Sequence, residues 1–64
     1  MEKKLVKETA YKGHKIKVFQ ETTGYAYEII DGNDESFAEA GGFSSIDVAT
    51  KDAQEEIKLF ADDL

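Results

Sequence analysis

The chain contains 64 residues, of which 14 are acidic and 8 basic, and its formal net charge is −6 at pH 7. It is 41% hydrophobic and 11% aromatic, which excludes a disordered chain, and it has no cysteine to build a disulfide framework or a thiol nucleophile. No apolar run exceeds three residues, so the sequence predicts no transmembrane helix and no secretory signal. We expect a single soluble, cytoplasmic domain over residues 1–64.

Turn signals divide the first half of the chain into runs that favour strand. They are Lys12-Gly13, Thr22-Thr23-Gly24 and Asp31-Gly32-Asn33-Asp34. The register that we predict across the first two turns pairs Tyr11 with His14, Gln20 with Tyr25, Val18 with Tyr27, and Ile16 with Ile29. On the reverse face the same register sets Lys17 between Glu8 and Glu28. A slip by one residue would destroy both the apolar face and this charge ladder.

The second half predicts one more strand and then a helix. The strand is expected over residues 36–40 and ends at Gly41-Gly42, while Ser44 or Ser45 caps a helix over residues 46–61. Apolar residues then recur every three or four positions, at Ile46, Ala49, Ala53, Ile57, Phe60 and Leu64. The predicted fold class is α+β: a three- or four-stranded antiparallel meander with one C-terminal α-helix packed on one face. Whether residues 1–10 form a strand stays open.

The predicted core combines the inward strand residues with the apolar stripe of the helix. Its members are Ile16, Val18, Tyr27, Ile29, Phe43, Ile46, Ala49, Ala53, Ile57 and Phe60. Because a single helix covers only one face of the sheet, the other face is left without a cover. On that face we place Val6, Phe19, Ala26 and Ile30, and we take Val6, Phe19 and Ile30 as a candidate homodimer face.

Catalytic and metal-binding patterns are weak. His14 stands beside a turn with no evident partner, and we expect it to be a solvated surface residue. Asp31, Asn33 and Glu35 imitate the start of a calcium loop, but Ser36 and Gly42 occupy the positions of its glycine and its bidentate glutamate. We therefore expect a non-enzymatic protein with no catalytic residue, no cofactor and no metal.

Short motifs between residues 11 and 60 resemble two groups of proteins. The run Gly24-Tyr25-Ala26-Tyr27-Glu28-Ile29, followed by Phe43-Ser44-Ser45 and a helix with Ala49 and Ala53, resembles the arm-binding domain of tyrosine integrases. The turn Tyr11-Lys12-Gly13-His14 resembles that of short uncharacterised bacterial and phage proteins. The integrase resemblance implies a sheet that reads DNA through basic residues. The absence of arginine and the net charge of −6 argue against direct nucleic-acid binding.

Charge is divided unevenly along the chain. Residues 1–30 carry 6 lysines and 4 acids, whereas residues 31–64 carry 2 lysines and 10 acids. On a helix, Asp52, Glu55 and Glu56 fall within one turn, roughly 5–7 Å apart, which is close to the spacing of consecutive phosphates. The candidate partner-binding residues are Asp52, Glu55 and Glu56, with Asp31, Asp34 and Glu35 as a second patch. An ordinary solvated helix face is the simpler interpretation of the same charges.

These observations lead to a functional hypothesis with two alternatives. The hypothesis is an acidic protein-binding module that engages a basic, nucleic-acid-binding partner by mimicking nucleic acid. A module of this kind is similar to small acidic phage inhibitors of bacterial defence systems, anti-CRISPR proteins among them. The first alternative is a homodimeric structural or accessory domain that associates through its sheet, and the second is a DNA binder of the integrase-arm type. No membrane partner is expected.

Overall fold

The computed structural model describes the backbone of residues 3–62 and the side chains of residues 3–60. Its elements are β1 (Lys4–Tyr11), β2 (His14–Glu21), β3 (Gly24–Ile30), β4 (Ser36–Phe43) and α1 (Ile46–Asp62). The strands form one antiparallel sheet in the order β1-β2-β3-β4, and α1 packs on one face of it. The predicted α+β meander is confirmed, in its four-stranded form. No helix in this part of the chain is long and apolar enough to cross a membrane.

The predicted register is confirmed at every pair. The structure pairs Tyr11 with His14, Gln20 with Tyr25, Val18 with Tyr27, and Ile16 with Ile29. Lys17 lies between Glu8 and Glu28 on the neighbouring strands. The ion pair that forms among the described residues is diagonal to this row, because Lys15 Nζ lies 3.6 Å from Glu8 Oε2. Both side chains are largely exposed, so the pair adds little to stability.

The turns obtain their shape from glycine and from one aspartate. Lys12 and Gly13 both have positive φ, +50° and +81°, which is the backbone of a two-residue hairpin turn whose twist matches that of the strands. Gly24 has φ +141°, and a Cβ there would lie 2.6 Å from the carbonyl oxygen of Phe43. In the third turn, Asp31 Oδ1 accepts hydrogen bonds from the backbone N–H groups of Asn33 and Glu35, at 2.8 and 3.2 Å.

The prediction that Gly41-Gly42 ends the fourth strand is wrong. β4 continues to Phe43, which pairs with Tyr25, while Ala40 pairs with Tyr27. Two residues of β4 therefore lie opposite the single residue between Tyr25 and Tyr27, and this irregularity is a β-bulge. Gly42 has φ +85°, a conformation that glycine adopts without steric cost. The glycines bend the strand without stopping it.

The placement of Val6 on the uncovered face is also wrong. Register shifts between Leu5, which pairs with Phe19, and Lys7, which pairs with Val18. The extra residue of this bulge is Val6, and its side chain packs against the core under α1. Strict alternation assigns Val6 to the opposite face, and the inserted residue breaks that alternation. Leu5 takes its place beside Phe19.

The core lies between α1 and the sheet, and α1 begins with a serine cap, as predicted. The Ser45 hydroxyl oxygen accepts a hydrogen bond from the backbone N–H of Val48 at 3.1 Å, so Ser45 is the cap. The buried cluster consists of Ile16, Val18, Tyr27, Ile29, Ala49, Ala53 and Ile57, as predicted. Phe43 and Ile46 are only partly buried and pack against it. Leu64, which the predicted stripe includes, lies outside the described residues.

The prediction that Phe60 belongs to the buried core is wrong. Phe60 is 46% exposed, because the last turns of α1 reach the end of the sheet, where fewer side chains cover it. It nevertheless makes an edge-on contact with Phe37, with ring centres 4.6 Å apart, and it lies 6.2 Å from the ring of His14. These three rings form a small aromatic cluster that holds the end of α1 against the sheet.

A pair of substitutions in α1 tests the assignment of the helix faces. Ile57 is fully buried, and Ile57→Ala is expected to lower the free energy of unfolding by about 2–5 kcal/mol through loss of buried contacts. Leu59 is 64% exposed, and Leu59→Ala is expected to change it by about 0.5 kcal/mol or less. Urea unfolding measures both. Equal losses for the two variants would show that the helix packs in another rotation.

Candidate partner-binding site

One hydrogen bond joins the exposed side of α1 to the sheet. The Tyr27 hydroxyl on β3 donates to Asp52 Oδ2 on α1 at 2.9 Å. The Tyr27 ring is buried and stacks on Phe43, with ring centres 5.4 Å apart and planes inclined by 23°. Desolvation of the hydroxyl raises the pKa of Tyr27 above its ordinary value, and the hydrogen bond to Asp52 and the charges of Asp52 and Glu56 raise it further. Asp52 is thus anchored from beneath by a buried ring.

The anchored carboxylate belongs to a group of exposed acids. Asp52, Glu55 and Glu56 are all exposed, and on α1 they fall within one turn. We call these three residues the acidic flank. A shallow groove of about 540 Å³ runs beside it, lined by Val48, Lys51, Asp52, Gln54 and Glu55. The structure brings together the first predicted set of partner-binding residues, with Lys51 as a cation in their midst.

Two exposed apolar side chains accompany the acidic flank. Val48 is 45% exposed and Leu59 is 64% exposed. With Asp52 and Glu55 they form a row at spacings of four, three and four residues, which places all of them on one side of the helix. Val48 and Leu59 are not among the site residues predicted from the sequence. Their spacing of three or four residues from Asp52 and Glu55, outside the buried stripe, is the signal that indicates them.

The second predicted patch stands apart from the first. Asp31, Asp34 and Glu35 lie in the turn between β3 and β4, and the strand from Tyr27 to Asp31 spans roughly 13 Å. Asp34 and Glu35 are exposed, whereas Asp31 has its Oδ1 engaged by the backbone of its own turn. Asp34 has φ +63° and donates its backbone N–H to the Asp31 carbonyl at 3.1 Å. Asp31 therefore stabilises the turn through hydrogen bonds and also contributes a negative charge to it.

His14 is neither isolated nor fully solvated. Its ring is half-buried, and its Nδ1–H donates to the Lys12 carbonyl at 3.0 Å. The ring also lies 5.4 Å from that of Phe37, in the aromatic cluster at the end of α1. The expectation of a solvated surface residue is corrected: His14 packs the turn against Phe37 and Phe60. Among the side chains of residues 3–60, no cluster of three or more histidine, cysteine or acidic residues is placed to hold a metal ion.

The Tyr27–Asp52 contact predicts a specific pH dependence. Tyr27→Phe is expected to lower the free energy of unfolding by about 1 kcal/mol at pH 7, through loss of one hydrogen bond to a charged but exposed group. Because the folded state holds the tyrosine proton more tightly than the unfolded state, this contribution is complete below about pH 10 and is lost as the pH rises above it.

Urea unfolding between pH 7 and pH 11 measures the difference between wild type and Tyr27→Phe. The matched control is Tyr25→Phe, which leaves the Tyr27–Asp52 contact in place and keeps the alkaline loss. A difference between wild type and Tyr27→Phe that stays constant up to pH 11 contradicts the account of this contact.

Comparison with known proteins found no matching family model, no matching curated protein and no matching solved structure. The site is therefore described by its own geometry. The buried Tyr27 lies beneath the Asp52 carboxylate, Glu55 and Glu56 follow within one turn, and exposed apolar side chains lie on either side.

Proposed function

We propose that this protein is a non-enzymatic binding module whose acidic flank engages a basic groove on a partner protein. The observation that carries the proposal is the anchoring of Asp52 by the Tyr27 hydroxyl at 2.9 Å, beside the exposed Glu55 and Glu56. An anchored carboxylate loses less side-chain entropy on binding than a free one. The acidic flank thus presents one anchored carboxylate, Asp52, beside two freely rotating ones, Glu55 and Glu56.

Nucleic-acid mimicry is the form of binding that this array supports best. Three carboxylates within one helical turn replace consecutive phosphates at a spacing of roughly 5–7 Å. The partner that fits is a protein with a groove rich in lysine and arginine, as in nucleic-acid-binding proteins. A phage-type inhibitor of the anti-CRISPR kind works on such a partner, and the overall charge of −6 speeds its encounter with a basic surface.

The apolar neighbours of the acidic flank support a protein partner over a small cation. Val48 and Leu59 are exposed at the two ends of the row, and each offers apolar area to a groove that also holds basic side chains. The groove beside the flank is shallow, which suits a protein surface better than an enclosed ligand. The Lys51 ammonium beside Asp52 and Glu55 lowers the local negative charge and would limit which basic surfaces fit.

The sheet does not favour the integrase-type alternative. A domain of that type would lay the sheet face that α1 leaves open against DNA. On this face Glu28 pairs with Glu39, and Lys17 is the cation beside them. Two adjacent carboxylates at the centre of the face repel phosphates.

Charge variants on α1 test the proposed function. Glu55→Lys with Glu56→Lys, combined with Asp52→Asn, removes the negative array, while the asparagine oxygen still accepts the Tyr27 hydrogen bond. We expect this triple variant to remain folded, because Glu55 and Glu56 are exposed, and to lose binding. The measurement is capture of partners from a bacterial lysate on immobilised protein, with elution by a salt gradient and by added double-stranded DNA.

A matched control keeps the change in net charge but moves it away from α1. Glu21→Lys with Glu39→Lys, combined with Glu8→Gln, makes the same change in net charge on the opposite face of the sheet and is expected to retain the captured partner. Elution of the wild-type partner by DNA and by moderate salt supports mimicry. If the triple variant is folded and captures the same partner with the same salt dependence, the acidic flank is only a solvated face.

A further inference from the structure

The sheet face opposite α1, which we call the outer face, has an ordered row of large and small residues at one end. Leu5 on β1 pairs with Phe19 on β2, and Phe19 pairs with Ala26 on β3. Gly41 on β4 completes the row, since a Cβ there would lie 3.4 Å from the Ala26 methyl and 3.5 Å from Glu21 Oε1. The flexible Glu21 side chain has to turn away for a second copy to reach Gly41. Both large side chains stand on β1 and β2, and both small residues on β3 and β4. Ala26 is 8% exposed, so it forms the floor of the low half of the row.

A second row of the outer face is charged. Glu8, Lys17, Glu28 and Glu39 are neighbours across the four strands. The pairing of Glu28 with Glu39 sets two carboxylates directly opposite each other, which is unfavourable within one sheet. An additional cation placed over Glu28 would relieve that repulsion. The outer face thus has a ridge on β1 and β2 and a depression on β3 and β4. Its charge changes from positive at Lys17 to negative at Glu28 across the same boundary between β2 and β3.

We propose that a second copy of this chain packs on the outer face, related to the first by a two-fold axis that runs parallel to the strands between β2 and β3. Such an axis reverses the strand order. It places Phe19 over the partner's Ala26, Leu5 over the partner's Gly41, and Lys17 over the partner's Glu28. It also places Glu8 over the partner's Glu39 at the two edges of the interface, where both carboxylates are exposed to solvent. Each large side chain meets a small residue, and each of these contacts occurs twice, as a two-fold interface requires.

Charge complementarity at the centre of the outer face supports this axis. The Glu8 and Glu39 carboxylates that meet at its edges oppose it weakly, because they are exposed and screened by solvent and salt. Lys17 and Glu28 of the two copies form a square in which every neighbouring charge has the opposite sign, within each sheet and between the sheets. The ring of Phe19 is covered in the single chain by the Lys3 ammonium, 4.8 Å from the ring centre. That flexible, solvated side chain is readily displaced by a second copy, whose Ala26 leaves space for the ring.

The edges of the sheet are less suited to self-association than the outer face. The free edge of β1 has the bulge at Val6 and a lysine at each of positions 4 and 7. The free edge of β4 has its glycine bulge and Glu39. Bulges and charges are the features by which proteins protect sheet edges from pairing with another chain. Packing through the face is therefore the arrangement that remains open.

The area available limits how tight the dimer is. Four strands about 4.8 Å apart and about 25 Å long cover roughly 480 Å². Two such faces bury about 1,000 Å², slightly below the range of stable specific interfaces. We therefore expect a weak dimer that forms at high micromolar to millimolar concentration, and the test has to reach about 1 mM.

Reciprocal charge reversals test the proposed axis. Lys17→Glu makes glutamate face glutamate across the interface, and Glu28→Lys makes lysine face lysine. Each variant alone is expected to dimerise about tenfold more weakly than wild type or worse. An equimolar mixture of the two is expected to form a heterodimer at least as tight as the wild-type dimer, because each reversed charge then faces its opposite. Sedimentation equilibrium up to about 1 mM measures all four samples.

A matched pair on α1 separates this effect from a general attraction between oppositely altered chains. Lys51→Glu and Glu55→Lys change the net charge by the same amounts, but they lie on the face away from the proposed interface. Each is expected to dimerise as wild type does, with no gain on mixing. Phe19→Thr gives an uncharged test at a surface strand position and is expected to weaken the dimer.

Three results would overturn the proposal. Wild type that stays a 7.1 kDa monomer at about 1 mM removes the dimer altogether. Dimers that are unchanged by Lys17→Glu, Glu28→Lys and Phe19→Thr place the interface elsewhere. A mixture of the two charge variants that is no tighter than either variant alone shows that Lys17 does not face the partner's Glu28.

Discussion

The pairing of β2 with β3 is the constraint on which the two faces of this small domain depend. In the observed register Val18 pairs with Tyr27 and faces α1, while Lys17 pairs with Glu28 on the outer face. Side chains alternate along a strand, so a shift by one residue would bury Lys17 and expose Val18. Gly24 also lets β4 approach β3 closely, because any side chain there would collide with the carbonyl oxygen of Phe43. The apolar core and the charged row are thus two consequences of one pairing.

Tyr27 connects the core with the acidic flank. Its ring is part of the buried cluster, and its hydroxyl reaches Asp52 on the exposed side of α1. Asp52 consequently has two roles, as the acceptor of a hydrogen bond that links α1 to β3 and as one of three negative charges in the proposed binding surface. Glu55 and Glu56 have no such structural bond among the described contacts, so their charge can change without altering the packing. Substitutions at Glu55 and Glu56 should therefore affect the proposed binding alone, whereas substitutions at Asp52 should affect both binding and stability.

Much of the fold was predictable from the sequence, because its strongest signals are local. The turn residues set the register from Tyr11 to Ile29, and the apolar spacing from Ile46 to Ile57 placed the helix and its buried face. The bulges at Val6, at Gly41-Gly42 and at Phe37 were not predictable from alternation, since each inserts a residue that breaks the pattern. Val6 turns inward because an apolar core lies beneath it, and Gly41-Gly42 bends β4 without ending it.

The candidate site was predictable only in part. Helical spacing placed Asp52, Glu55 and Glu56 together, but nothing local in the sequence indicates that Tyr27, 25 positions away, would bond to Asp52. Exposure at Phe60 likewise depends on where the sheet ends beneath the helix, which is a property of the packed structure. In each case the missed information is a contact between residues that are distant in the sequence.

The acidic flank and the outer face lie on opposite sides of the sheet, so the proposed partner and the proposed second copy would not compete for one surface. An NMR measurement tests the central claim that the register makes the outer face self-complementary. Leu5 and Gly41 are three strand spacings apart within one chain, about 14 Å, too far for a nuclear Overhauser effect. We expect a cross-peak between the Leu5 methyl groups and the Gly41 α-protons that strengthens with concentration. Its absence at about 1 mM, or a Leu5 cross-peak to protons of α1 in its place, would contradict the account.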